Sequence, residues 1–206
     1  MRIYTRRGDD GTTDLRAGGR VPKDSLEIEL NGTVDEAQAA LGLARAECSS
    51  GGALDTILLA LERDLWVLMA EVATAADRRG ELVPGKTAVT AEMVAGVEAT
   101  IDTVSSTLEI ARGFAVPGGG RCSAALDLAR TIVRRAERLA VASSAARAGA
   151  PTGDGAPPSL VRPYLNRLSD LCWALARSSE DEHLRAVDVR ARDSRSTDTA
   201  TARPVT

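Results

Sequence analysis

Apolar residues recur three and four positions apart along five stretches of the chain, and Gly-, Pro- and Ser-rich breaks separate them. That period marks helices with one buried face. It predicts helices over 24–48, 53–76, 90–108, 121–147 and 159–184. The second, "ALDTILLALERDLWVLMAEVATAA", carries the clearest pattern. Asp24 or Ser25 can cap the first helix and Thr90 the third, and Pro163 falls near the first turn of the fifth, where a missing amide costs little. Gly32 inside the first helix costs about 1 kcal/mol against Ala, which implies that something approaches the backbone there. The breaks are "SSGG" (49–52), "DRRGELVPGKTAV" (77–89), "GFAVPGGG" (113–120) and "AGAPTGDGAPP" (148–158).

Residues 1–22 follow no helical period, and the polar tail from 187 has no apolar face to bury, so it is predicted to be disordered. The expected architecture is all-α: a five-helix up-down bundle in one domain, residues 1–186, with an irregular N-terminal loop and a disordered tail, 187–206.

Composition sharpens this picture. Aromatic residues make up only 2% of the chain against 44% apolar residues in all, so the core must be Ala, Leu and Val, which suits close-packed helices. The net charge of −3 argues against a nucleic-acid binder at the level of the whole chain. No segment has the roughly 20 apolar residues of a membrane span, and the first 20 residues lack the apolar core of a signal peptide. Cys48, Cys122 and Cys172 are widely spaced in sequence and odd in number, which fits a reducing, cytoplasmic setting better than a disulfide framework. One histidine, His183, leaves little room for histidine-based zinc or triad chemistry. Of 26 basic residues only Lys23 and Lys86 are lysines, so arginine in place of lysine carries little functional weight.

Two segments hold residues suited to chemistry. In "LDLARTIVRRAERLAV", 126–141, Ala125, Ala129, Ile132, Val133, Ala136, Leu139 and Ala140 share one face of the helix. Arg130, Arg134 and Arg138 line another, with Glu137 and Asp127 beside them and Arg135 at the margin. Such a row is either a solvated helix face, the commoner case, or a set of cations for a phosphate. In "TRRGDDGTTDL", Gly8 and Gly11 permit an anion-binding backbone nest. Thr5, Thr12 and Thr13 add hydroxyls, Arg6, Arg7 and Lys23 add charge, and Asp9 and Asp10 are candidates for a Mg²⁺ that bridges phosphates. It is not a Walker A loop, because GxxxxGK[ST] is absent. Taken alone, it reads equally well as a polar terminus of turn residues.

Five blocks in order across residues 3–178 resemble the PduO-type ATP:cob(I)alamin adenosyltransferases: "YTRRGDDGTTDL" with "RVPKDS", "GTVDE", "FAVPGGG", "ARTIVRRAER" and "YLNRLSDLCWALAR". The resemblance implies transfer of the 5′-deoxyadenosyl group of ATP to the Co(I) of a corrinoid such as cobalamin, leaving triphosphate. It implies a homotrimer with active sites between subunits, Mg²⁺ carried with ATP, a separate reductase as electron donor, and a B12-dependent enzyme as recipient of the product. By match to the family, Thr5, Arg6, Gly8, Gly11, Thr12, Thr13 and Lys23 form the nucleotide loop. Arg130, Arg134, Glu137 and Asn166 match its later ATP-contacting positions, and Asp35 and Arg130 match an intersubunit salt bridge. Phe114 matches a residue beneath the corrin ring that displaces the lower axial ligand and makes Co(II) easier to reduce. Metal ligands stay unassigned. The chain departs from the family at Ala37 and Gln38 after "GTVDE", and at Trp173, where Phe is frequent. An adenosylcobalamin carrier is the alternative: it needs the corrin pocket but not the triphosphate contacts.

Overall fold

The computed structural model describes residues 3–108, 114–146 and 158–180. Five α-helices account for most of them: α1 (Leu26–Ala46), α2 (Ala53–Val72), α3 (Ala91–Ser105), α4 (Arg121–Ala146) and α5 (Val161–Ser178). α5 ends at Ser178 with Ser179 as its C-cap, short of the expected 184, and the expected tail 187–206 and nearly all of the 148–158 link lie outside the described residues.

The helices pack through the faces their apolar period defines. α1 lies against α2 and α4, and α5 against α4 and α3. Leu41, Leu58, Leu65, Leu68, Leu126, Leu165, Leu168 and Leu171 are fully buried among small residues such as Ala37, Ala129 and Ala136. Burying a leucine contributes about 1.5–3 kcal/mol, and the alanines between them let helix backbones come close. Tyr164 supplies the one aromatic ring fully inside the described core. Its hydroxyl donates to Asp64 at 2.9 Å. Burial pushes the Asp64 carboxyl above its usual range.

Some expected local details hold and others do not. The Thr90 hydroxyl caps α3 by accepting from the Met93 amide at 3.3 Å. Ser25 occupies the N-cap position of α1, but its side chain makes no capping hydrogen bond. Among the described residues nothing approaches Gly32, where an added methyl group would meet open space. The loop after α2 contains a 3-10 helix, Ala76–Glu81. Buried Glu71 organises this turn: it accepts from Arg79 at 2.8 Å, the Val89 amide at 2.7 Å and Ser159 at 2.6 Å.

The N-terminal segment is more regular than an irregular loop, so the architecture is mostly helical rather than all-α. Thr12–Asp14 (β1) and Arg20–Pro22 (β2) pair antiparallel, with Thr12 opposite Pro22, Thr13 opposite Val21 and Asp14 opposite Arg20. A two-stranded ribbon is marginal alone, and this one is pinned to the helical body. The Ala75 amide donates to the Ala17 carbonyl at 2.8 Å, and Arg16 reaches the Thr74 hydroxyl at 3.4 Å. Gly18 allows that contact. Its φ is +115°, and a Cβ there would fall 2.4 Å from the Ala75 methyl, a collision no side chain escapes.

Candidate functional site

The ribbon is held together by its own polar groups. Arg20, which the sequence reading passed over, is its hub. It donates to the Arg7 carbonyl at 2.6 Å and, through Nε, to the Thr12 hydroxyl at 2.9 Å, and it pairs with Asp10 and Asp14 at 3.3 Å. Its position opposite Asp14 follows from the strand register, which nothing in the period-free sequence announces. Asp10 accepts from the Thr12 amide at 2.9 Å and from its hydroxyl at 2.8 Å. Those bonds, with the nearby Arg20 charge, hold its carboxyl below the ordinary range. Asp10 is thus committed to folding the turn. Among the described residues no cluster of three or more His, Cys, Asp or Glu side chains is arranged to hold a metal ion.

The other nucleotide-loop candidates gather here. Lys23 donates to the Gly8 carbonyl at 2.6 Å, and its backbone amide donates to the Gly11 carbonyl at 2.9 Å. Gly11 has φ +83°. Arg6 shares the left-handed region at φ +60°, a conformation that costs a non-glycine residue about 1 kcal/mol or more, and its guanidinium lies 5.5 Å from the centre of the exposed Tyr4 ring. Thr5 accepts from the Arg7 amide at 3.5 Å. Thr13 stands in mid-strand opposite Val21.

On α4 most of the predicted apolar face is buried: Ala125, Ala129, Ile132, Val133, Ala136 and Ala140 are at most 6% exposed, while Leu139 is half-buried against the core. The cations of the other face divide. Arg135 pairs with Glu36 of α1. Arg138 donates to the Arg134 carbonyl at 3.1 Å. Arg130 reaches Asp127 at 3.3 Å. Among the described residues the exposed Arg134 guanidinium has neither a hydrogen-bond nor an ion-pair partner. Glu137 accepts from the Asn166 side chain of α5 at 2.9 Å, joining two candidates from different helices. The Asn166 carbonyl oxygen in turn receives Arg167, which also pairs with Glu98 of α3.

Asp127 does not belong to the wet face where the helical wheel puts it. It is 5% exposed and accepts from Arg177 of α5 at 2.6 Å. Arg177 is itself 4% exposed. A helical wheel assigns faces by angle alone. Here a buried cation from a neighbouring helix, invisible to the period of α4, draws the carboxylate inward.

Three further placements matter. Phe114 is 87% exposed, shortly before α4, so it plugs no core among the described residues. Asp35 is exposed on α1, and its side chain does not meet Arg130 within one chain. Cys48 and Cys122, far apart in sequence, bring their sulfurs to 3.9 Å where α1 ends and α4 begins. Burial and the neighbouring sulfur push the Cys122 thiol up to about 11. Among the departures from the family pattern, Ala37 is fully buried and Gln38 donates to the Glu62 carbonyl at 2.7 Å, while Trp173 is half-buried.

Among the described residues no hydrogen bond or ion pair joins the ribbon to α4. Among the described residues one chain therefore presents two polar surfaces: a ribbon whose turn amides at Arg7, Asp9, Gly11 and Thr12 donate within the turn itself, and a helix edge whose Arg134 is unpaired. Cationic side chains of this kind suit anions, and here they stand on a mostly helical fold. Comparison with known proteins narrows the reading. Residues 3–179 match the family model described as cobalamin adenosyltransferase. The corrinoid adenosyltransferase of Bacillus subtilis is 37% identical over 180 residues, covering 86% of each chain. The corrinoid adenosyltransferase PduO of Salmonella typhimurium is 37% identical over 195 residues, 92% of this chain and 53% of that one, so this chain spans about half of that relative. A phenylalanine-to-histidine variant of the PduO-type ATP:corrinoid adenosyltransferase from Lactobacillus reuteri, complexed with cobalamin and ATP, superposes with a TM-score of 0.73 at 27% identity, over 86% of this chain and 90% of that one. The chain belongs to the cobalamin adenosyltransferase family.

Proposed function

We infer that this protein is an ATP:corrinoid adenosyltransferase: it transfers the 5′-deoxyadenosyl group of ATP to the Co(I) of cobalamin and releases triphosphate. Family membership gives the reaction class. The observation that carries the reading to this chain's residues is the Arg134 guanidinium, which among the described residues stands without a partner while its neighbours on α4 are engaged. An arginine left uncommitted in this way is available to a polyanion.

In this reading ATP is held by Thr5, Arg6, Gly8, Gly11, Thr12, Thr13 and Lys23 of one chain and by Arg130, Arg134, Glu137 and Asn166 of a neighbour. The separation of ribbon and helix edge within the chain supports a site completed between subunits. A homotrimeric assembly of five-helix up-down bundles meets that need, with Asp35 of one chain pairing with Arg130 of the next. The Glu137–Asn166 hydrogen bond fixes two of the contacts before ATP arrives. Charge builds on triphosphate as its bond to C5′ breaks, so Arg134 stabilises the transition state more than the ground state. Mg²⁺ enters on the phosphates, since the ribbon's Asp10 is already committed to Thr12 and Arg20. Exposed Phe114 offers the corrin ring an apolar surface that cannot act as a replacement ligand. Electrons come from a separate reductase, in the cytoplasm, and the product passes to a B12-dependent enzyme.

The test is anaerobic incubation with MgATP and chemically reduced cob(I)alamin, following light-sensitive adenosylcobalamin by absorbance and triphosphate by direct assay. Catalytic formation of both products is expected. Tight corrinoid binding without turnover would replace the enzyme with a carrier.

A further inference from the structure

A line of buried charges runs from the arginine row to the glycine loop that follows Phe114. Asp127 is shared between two cations, with Oδ1 accepting from Arg130 at 3.3 Å and Oδ2 from Arg177 at 2.6 Å. The same Arg177 nitrogen reaches Oε1 of Glu180 at 3.2 Å. Glu180 has a side chain only 1% exposed, and that same Oε1 lies against the loop: a Cβ at Gly119 would fall 2.7 Å from it. The set holds two positive and two negative groups, so it is neutral as a whole. It is also incompletely satisfied, because Arg177 Nε and Glu180 Oε2 are buried with no partner among the described residues. A buried ionic set with spare donors and acceptors gains little stability from its geometry. Its members are also unequal. Arg177, Asp127 and Glu180 are sealed, whereas Arg130 keeps 28% of its side chain exposed and is the only end that can meet a ligand.

We propose that Asp127, Arg177 and Glu180 form a positioning relay that sets Arg130 toward the nucleotide and seats the loop beside Phe114 through its contact at Gly119, so that the grip on ATP depends on how Gly119 packs against Glu180. The proposal rests on the reading that Arg130 contacts ATP. Asp127 fixes Arg130 from its Nε side and leaves the terminal nitrogens for the ligand. Displacing Glu180 from the loop side moves the Arg177 contact, and with it the shared carboxylate. A side chain at Gly119 must displace the Glu180 carboxylate, and this close approach is its only constraint among the described residues, since its own backbone is not in the left-handed region.

The experiment measures KM for ATP, KM for cob(I)alamin, kcat and melting temperature in the full chain for Arg130→Ala, Asp127→Asn, Gly119→Ala, Gly120→Ala and the Gly119→Ala/Asp127→Asn double variant. Gly119→Ala is expected to raise KM for ATP about fivefold with little change in melting temperature. Gly120→Ala, whose Cβ meets only the Ser123 hydroxyl at 3.7 Å, is expected to leave it unchanged. The double variant is expected to match Asp127→Asn alone, because both changes break one relay. An ATP KM within twofold of the parent for Gly119→Ala overturns the relay. So do equal effects at Gly119 and Gly120, or effects that multiply in the double variant. Should Asp127→Asn not fold, the exposed loop position Gly119, compared with Gly120, decides alone. If Arg130→Ala leaves KM for ATP unchanged, the site reading itself fails. If Arg130→Ala raises it and Gly119→Ala does not, only the relay fails.

Discussion

The N-terminal ribbon and the arginine edge of α4 both present cations, yet they are built in opposite ways. The ribbon is held by short exposed contacts among its own residues, centred on Arg20, and touches the helical body near Ala17 and Thr74. The edge of α4 stands on a packed helix whose other face is core, and its Arg130 is tied to groups almost wholly out of water. A surface made by turns can adjust to a ligand, whereas one made by a helix holds its cations at fixed spacing. The two kinds of surface suit different tasks, closing over a nucleotide and meeting charge where it develops.

The contrast can be broken most forcefully at Arg134. Arg134→Ala is expected to lower kcat by about 10²–10³-fold with the melting temperature nearly unchanged, since an exposed side chain with no partner among the described residues contributes within about 0.5 kcal/mol to the fold. Steady-state kinetics and a thermal melt check both halves, and full activity would remove Arg134 from the site. Phe114→Ala is expected to lower turnover at least about tenfold more when the reaction starts from Co(II) than from prereduced Co(I). Equal loss from both starting states would argue against ligand displacement.

Arg20→Ala sharpens the comparison from the ribbon side. It frees Asp10, Thr12 and Asp14 together and is expected to raise KM for ATP about tenfold, or about 1.4 kcal/mol. Stability should change by no more than about 1 kcal/mol, because its carboxylate partners are exposed and screened. A large fall in melting temperature with unchanged KM would make the ribbon structural.

The smallest effect lies away from both regions. Asp64 has a folded pKa raised above 3.8 by burial, so its contribution to stability is present below that value and lost as pH rises through the folded one. Asp64→Asn lacks this loss. Its melting temperature relative to the parent is expected to climb across that window with turnover unchanged, and a pH-independent difference would contradict the assignment.

How much of this was legible in the sequence follows the same division. The faces of α4 were readable because a helix places residues by angle, and Ala129, Val133 and Ala136 are buried where the period puts them. The Arg130, Arg134 and Arg138 row was visible for the same reason. Asp127 was misplaced and Arg177 missed because their pairing crosses from α4 to α5, and no local pattern encodes a partner 50 residues away. The ribbon was missed because three-residue strands are too short to alternate, so Arg20 looked like one more surface cation. Candidates drawn from the family resemblance lie together only in part: Glu137 meets Asn166 and Lys23 meets Gly8, whereas Asp35 and Arg130 remain apart in the single chain.

The paired thiols at the junction of α1 and α4 bear on how such measurements are carried out. A bond between Cys48 and Cys122, 74 positions apart, would close a loop long enough to stabilise the fold by about 4 kcal/mol on the chain-entropy model. That exceeds every stability difference predicted above. Melting curves recorded in air and curves recorded with a thiol reductant would then describe two different molecules. The strongly reducing mixture that cob(I)alamin requires keeps the enzyme assays on the open-thiol form, so variants should be melted under that same reductant before kinetics and stability are compared.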